Sequence, residues 1–206
     1  MTVAVPPALH YLALGDSYTI GEAVAGNQCW PAVLVSRLRR AGVLLDEPRI
    51  VAVTGWTTDE LAQGMDAAAL TPPYDLVSLQ IGVNNQYRGR PADDYREQFV
   101  GLLARAISLA GDRPGRVVVV SIPDWGVTRF AREQGRDHEH IGAELDNYNT
   151  IARAESLRVG ARFVNITGVS RQHPDAVADD GLHPSAVQYE RWADQIEAVV
   201  RKALAH

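Results

Sequence analysis

The stretch Leu14-Gly15-Asp16-Ser17-Tyr18-Thr19 decides how the rest of the chain is read. An apolar run, beginning at His10 and ending at Leu14, feeds into a Gly-Asp-Ser turn that stops the strand and aims a serine hydroxyl outward at the strand's end. A serine so placed is a candidate nucleophile. Standing alone, Gly-Asp-Ser is most often a plain turn or a helix cap in which Asp or Ser accepts a backbone N–H. A second segment far downstream changes that balance. In Asp179-Asp180-Gly181-Leu182-His183-Pro184 a carboxylate stands three residues before a histidine. An imidazole can take the proton of a serine, and a carboxylate can orient that imidazole and stabilise the imidazolium.

Working outward, apolar runs rich in β-branched residues occur at 11–14, 50–53, 76–81, 117–122 and 163–166, giving five expected strands. Helical spacing fills the intervals at 30–41, 58–70, 92–110 and 141–159, and Ala186–Leu204 closes the pattern with Trp192, Ile196, Val199 and Val200 on one face. Strands apolar on both faces and separated by helices call for a parallel sheet covered on both sides. The reading is one doubly wound α/β domain spanning 1–206. Capping chemistry agrees: Thr57 or Thr58 precedes Asp59-Glu60, Pro91 opens another helix in its first turn, and Gly42, Gly111 and Gly160 follow three helix ends. The connection 123–140 shows no clear period and is long for a strand-to-helix link, which marks it as a functional wall or lid. Its charged part, 132–140, reads as solvated surface.

With 206 residues, 46% hydrophobic and 22% charged, the composition is that of an ordinary globular domain. The net charge of −5 gives no electrostatic reason to bind nucleic acid or an anionic membrane, so a small molecule is the expected partner. Oligomeric state leaves no trace in the sequence. The single cysteine, Cys29, excludes an intramolecular disulfide and reads as buried at a helix start, and no Cys/His spacing of the zinc type is present. His138 and His140, beside Asp137 and Glu139, read as alternating surface charge rather than metal ligands. Residues 1–7 carry no basic patch or apolar run of signal-peptide length, and nowhere do about eighteen apolar residues run together, so a cytoplasmic protein without membrane insertion is expected. An exported protein trimmed of its leader would read the same.

In an open parallel sheet, ligands bind beyond the carboxyl ends of the strands, near the point where strand order reverses. Ser17 follows the first expected strand, Gly55-Trp56 the second, Gly82-Val83-Asn84-Asn85 the third, and Asp180 with His183 comes after the fifth. All gather on one sheet edge. The N–H groups of Ser17 and Gly55 and the side-chain amide of Asn84 are candidate donors to an oxygen on which charge develops. Pro184 disfavours helix at His183 and leaves that imidazole in a loop. Tyr18, Trp56 and Tyr87 are the candidate substrate-binding residues at the mouth, and Trp125 and Phe130 read as either mouth or core.

Together, Gly15-Asp16-Ser17-Tyr18, Gly55 within Val53-Thr54-Gly55-Trp56-Thr57-Thr58, Gly82-Val83-Asn84-Asn85 and Asp180-Gly181-Leu182-His183 resemble the four signature blocks of the SGNH, or GDSL-type, hydrolases, in the family's order. The resemblance implies a three-layer flavodoxin-like fold with a five-stranded parallel sheet between helices. It further implies Ser17 as nucleophile, Ser17, Gly55 and Asn84 as oxyanion hole, His183 as base and Asp180 as its support. It implies no metal or organic cofactor. The substrate would be a carboxylic ester with a small or short acyl group, with acetylated sugars and thioesters fitting the same machinery. Tyr18 stands where the family name has leucine, and Asn85 replaces a common aspartate, a change expected to loosen the support of Asn84. No Gly-x-Ser-x-Gly elbow surrounds Ser17, which argues against the α/β-hydrolase fold.

Two other readings stand beside this one. In a flavodoxin-like module binding nucleotide or flavin, 15–19 would hold phosphate, although Asp16 would repel an anion and the Gly-x-x-x-x-Gly-Lys pattern is missing. The other is an SGNH-like domain without activity that serves as an interaction surface.

Overall fold

The computed structural model describes residues 8–205, so residues 1–7, on which the expectation about a leader rests, and His206 lie outside the described residues. The first strand, β1 (Tyr11–Gly15), leads into α1 (Ser17–Ile20), a 3₁₀ turn at Gly26–Gln28 and α2 (Trp30–Arg40). Next come β2 (Arg49–Ala52), α3 (Thr58–Ala67), β3 (Leu76–Gln80), α4 (Val83–Tyr87) and α5 (Ala92–Leu109). After β4 (Val117–Val120) a 3₁₀ turn at Trp125–Val127 precedes α6 (Arg129–Glu133) and α7 (His138–Arg158). The chain ends with β5 (Arg162–Val164), α8 (Thr167–Gln172) and α9 (Ala186–Leu204).

All four strand pairings are parallel, and the order is β2-β1-β3-β4-β5. Strand order reverses between β1 and β3, so the crevice at their carboxyl ends is the expected ligand position. The α2 and α9 helices pack together on one face, while α3, α5 and α7 cover the other. Burial explains the sequence pattern. Every residue of β1, β3 and β4 is buried, whereas β2, at the sheet edge, buries only Val51. Trp30, Trp192, Phe99 and Tyr95 are fully buried in the core. Burying an aromatic or aliphatic side chain of this kind stabilises the fold by roughly 1.5–3 kcal/mol before conformational entropy is charged against it.

Capping chemistry sets the helix bounds. Thr57 N–H donates to Glu60 at 2.8 Å in a capping box that opens α3, and Cys29 is buried at the N-cap of α2. Pro91 is the N-cap of α5, one residue outside the helix rather than within its first turn. The expectation for 123–140 needs correction, because this stretch holds a 3₁₀ turn, α6 and the first residues of α7. Asp137 accepts the His140 N–H at 3.0 Å, which starts α7 three residues before 141. Helices α1, α4, α6 and α8, of 4, 5, 5 and 6 residues, are absent from the sequence reading because one or two turns show no 3.6-residue period.

Candidate active site

Gly15 ends β1 where a Cβ would lie 2.6 Å from the Gln80 carbonyl oxygen and 2.0 Å from Thr19 Oγ1, so a side chain does not fit there. Asp16 then turns the chain. Its carboxylate accepts the Tyr18 N–H at 3.0 Å and caps α1, taking a donor that a bound phosphate would otherwise use. Burial pushes the Asp16 carboxyl up to about 7, against the opposing pull of the hydrogen bonds from the Tyr18 and Asp16 N–H groups. Ser17 is the first residue of α1. Its N–H has no acceptor among the described residues, as expected of a first-turn donor.

At the opposite end of the chain's path, Asp180 folds back on His183. Asp180 Oδ1 accepts the N–H groups of Leu182 at 2.9 Å and His183 at 3.0 Å, and Oδ2 lies 2.6 Å from His183 Nδ1. Gly181, at φ +73, supplies the left-handed residue that this tight return requires. Partial burial works to raise the Asp180 carboxyl, yet the hydrogen bonds from the His183 ring and the Leu182 and His183 N–H groups prevail and hold it below the usual carboxylate range. With Nδ1 engaged, Nε2 is the ring nitrogen left free of the carboxylate. Asp179 is exposed and contributes its carbonyl to Arg129 Nη2 at 2.6 Å.

Ser17, Gly55, Asn84 and His183 line one cleft of about 250 Å³. No direct Ser17–His183 hydrogen bond is present among the described residues; such bonds often tighten only when substrate arrives. Gly55 has φ +86 and its N–H, like that of Ser17, has no acceptor among the described residues. Two contacts pin its turn. Arg88 Nη2 donates to the Gly55 carbonyl at 2.7 Å, and Asn84 Nδ2 donates to the Trp56 carbonyl at 2.9 Å. An amide carries two N–H donors, so Asn84 keeps one for a ligand. Asn85 is fully buried, with Oδ1 accepting the Thr58 N–H at 3.1 Å and Nδ2 donating to Thr58 Oγ1 at 2.7 Å. The expected loosening therefore does not occur, because both ends of the Asn85 amide are tied to the start of α3.

The profile of the GDSL-like Lipase/Acylhydrolase family matches residues 13–191, which contain every residue of the cleft. The chain belongs to this family. No curated protein sequence matches it. Among solved structures it is similar to a psychrotrophic esterase, EstA from Pseudoalteromonas sp., inhibited by monoethylphosphonate, at 15% identity and a TM-score of 0.74 over 96% of this chain and 99% of that one. It is also similar to an acetylxylan esterase from Geobacillus stearothermophilus, at 16% identity and a TM-score of 0.71 over 95% of both chains. A phospholipase A1 from Streptomyces albidoflavus NA297 aligns at 17% identity and a TM-score of 0.67 over 96% of this chain and 100% of that one. At these identities the similarity shows the shared α/β fold; the family match makes the chain a carboxylic-ester hydrolase.

In this GDSL-type hydrolase the cleft walls are largely apolar: Tyr18, Val83, Tyr87, Trp125, Phe130 and Leu182. Tyr18 and Tyr87 lie where the sequence reading puts them. Trp56 does not. Its indole packs against α3, within 2.5 Å of the place a Cβ on Gly64 would occupy, and it contributes only its carbonyl to the Asn84 anchor. Trp125 is both core and wall: it is buried, its Nε1 donates to Gln86 Oε1 at 2.8 Å, and its ring lines the cleft. Arg88 escapes sequence reading because a lone surface arginine carries no periodic or motif signal. Among the described residues no group of three His, Cys, Asp or Glu side chains is placed to hold a metal, and no helix is long and apolar enough to cross a membrane.

Proposed function

We propose that this hydrolase cleaves carboxylic esters with small or short acyl groups through an acyl-enzyme on Ser17. Ser17 Oγ attacks the ester carbonyl as His183 Nε2 takes its proton, and the imidazolium returns that proton to the departing alcohol. Water then repeats the sequence on the acyl-enzyme and frees the acid and Ser17. Asp180 holds the imidazole by Nδ1 and stabilises its charged form. Charge developing on the carbonyl oxygen meets the Ser17 and Gly55 N–H groups and the free N–H of Asn84. The observation that carries this reading is the 2.6 Å Asp180–His183 contact on a cleft shared with Ser17 and two backbone donors without internal acceptors.

Size supports the short acyl group. A cleft of about 250 Å³ falls below the roughly 300–1,000 Å³ typical of sites for drug-sized ligands. Short-chain esters, acetylated sugars and small thioesters fit the same chemistry, and the acetylxylan esterase among the structural relatives is consistent with an acetyl group. A fluorophosphonate probe is expected to label Ser17 in the wild type and nothing in Ser17→Ala, while p-nitrophenyl esters of rising chain length show kcat/KM falling beyond short acyl groups. Undiminished turnover by Ser17→Ala, with the protein folded, ends this reading.

A further inference from the structure

Arg136 stands in the expected solvated stretch, and its side chain is exposed. Its guanidinium nevertheless lies 5.1 Å from the centroid of the Trp125 ring and 5.4 Å from that of Tyr87. These two rings are themselves 5.4 Å apart and form one wall of the cleft. Both distances are within the roughly 6 Å over which a guanidinium is attracted to an aromatic face.

The backbone under Arg136 is fixed. The Arg136 N–H donates to the Ala131 carbonyl at 3.0 Å and the Gly135 N–H to the Arg132 carbonyl at 3.1 Å, with Gly135 at φ +61. This is a Schellman closure of α6, with Arg136 just beyond the left-handed glycine. Asp137, the next residue, caps α7. The wall is fixed too, because Trp125 Nε1 is held by Gln86, whose Nε2 donates to Glu144 at 2.8 Å. Arg136 therefore springs from a closed helix end onto a braced ring.

Its charge is unspent. Arg88 pairs with Glu60 at 3.3 Å and Arg129 lies 3.9 Å from Glu133, whereas Arg136 pairs with no carboxylate among the described residues. A guanidinium lying over aromatic rings and paired with no carboxylate keeps N–H groups for a carboxylate or phosphate. Elsewhere on the lining, Thr54 donates its hydroxyl to Glu22, and Gly55 accepts from Arg88, a cation already paired with Glu60. An anionic substrate group is drawn toward the aromatic wall that Arg136 flanks.

Resting on the ester-hydrolase reading, we propose that Arg136 is a specificity-determining residue that selects esters carrying an anionic group, carboxylate or phosphate, on the arm lying along Tyr87 and Trp125. The stem of the arm packs on the two rings and its terminal anion meets the guanidinium. In a chain of net charge −5, this cation without a carboxylate partner favours an anion at the mouth.

The test compares matched esters by pH-stat. Monomethyl glutarate against methyl pentanoate places the anion on the acyl arm, and 3-acetoxypropanoate against propyl acetate places it on the alcohol arm. In one of the two pairs, kcat/KM is expected to favour the anionic ester by about five- to tenfold, a preference abolished in Arg136→Gln, reversed in Arg136→Glu and partly kept in Arg136→Lys. Raising ionic strength reduces the preference. Using a ratio cancels any change in folding or in the shared chemistry. Ser17→Ala is then titrated calorimetrically with the same uncleaved esters, where the same preference should appear in Kd. A ratio unchanged by Arg136→Gln, or equal affinity for both members of each pair, overturns the proposal. Failure of the wild type to hydrolyse any of the four esters, with the binding preference intact, counts against the ester-hydrolase reading and not against Arg136.

Discussion

Asp16 and Asp180 make the same turn in two parts of the molecule. Each carboxylate accepts the N–H two residues ahead, from Tyr18 at 3.0 Å and from Leu182 at 2.9 Å, and each sets a site residue in place, Ser17 and His183. Their surroundings differ. Asp16 is 1% exposed and forms no ion pair among the described residues, so burial dominates and its carboxyl rises to about 7. Asp180 keeps 37% of its side chain exposed and bonds the imidazole, so its hydrogen bonds prevail and its carboxyl falls. The serine turn uses its aspartate as a cap in the core, where charge is a burden. The histidine turn uses its aspartate as a charge.

Removing that charge should break the comparison most severely. Asp180→Asn keeps the side-chain oxygen that accepts the two N–H groups and loses the anion, favouring the wrong imidazole tautomer. We expect kcat to fall by roughly 10³- to 10⁴-fold, with KM little changed. The exposed Asp179→Asn should stay within about twofold of wild type, as a surface change away from the imidazole. Equal activity in the two variants would make His183 half of a dyad, and a loss confined to Asp179→Asn would move the support by one residue.

The donors on the serine side give the next effects. Asn84→Ala removes both the free N–H and the hold on Trp56, and should lower kcat by roughly 10² to 10³ with KM nearly constant. A change in KM alone would make Asn84 a substrate contact. Arg88→Ala releases the Gly55 carbonyl without removing a cleft N–H, so a smaller loss of about tenfold in kcat is expected, below the roughly 10²-fold that a 1 Å misplacement can cost. Unaltered kcat in Arg88→Ala would show that the Gly55 turn keeps its shape unaided.

These contrasts also explain what the sequence made legible. Runs such as Val117–Val120, buried on both faces, announce a central strand by composition alone, and the gathering of Ser17, Gly55, Asn84 and His183 follows from all of them succeeding strands of a parallel sheet. Trp56 misled because position near a glycine turn says nothing about which way an indole points; the space over Gly64 decided that. Asn85 misled because its partner, Thr58, lies 27 residues away in sequence. Arg136 looked like surface charge because its placement depends on a short helix, α6, and on Trp125, neither of which leaves a periodic signal.

The smallest expected effect, and the sharpest on the comparison itself, is a shift of stability with pH. Below about pH 4 the Asp16 carboxyl is protonated in both folded and unfolded chains. Between about 4 and 7 the unfolded chain has released this proton while the native state, with its carboxyl raised to about 7, still holds it, so stability falls as pH rises through that window and levels off above it. Asp16→Asn keeps the cap and removes the titration. Its Tm relative to wild type should therefore climb by a few degrees between pH 4 and 7 and then stay constant; the titratable neighbours Tyr18, Tyr95 and Tyr189 are all raised by burial and remain neutral throughout. Asp180 runs the other way. Its lowered carboxyl adds stability above the unfolded value that is lost as pH falls, so Asp180→Asn should be destabilised at neutral pH, with the difference closing below about pH 4. Thermal melts of both variants across pH 3 to 8 read the two slopes directly. A flat profile for Asp16→Asn would place a charged carboxylate in the core beside Ser17, and the two turns would then differ in exposure and in the imidazole contact but not in charge.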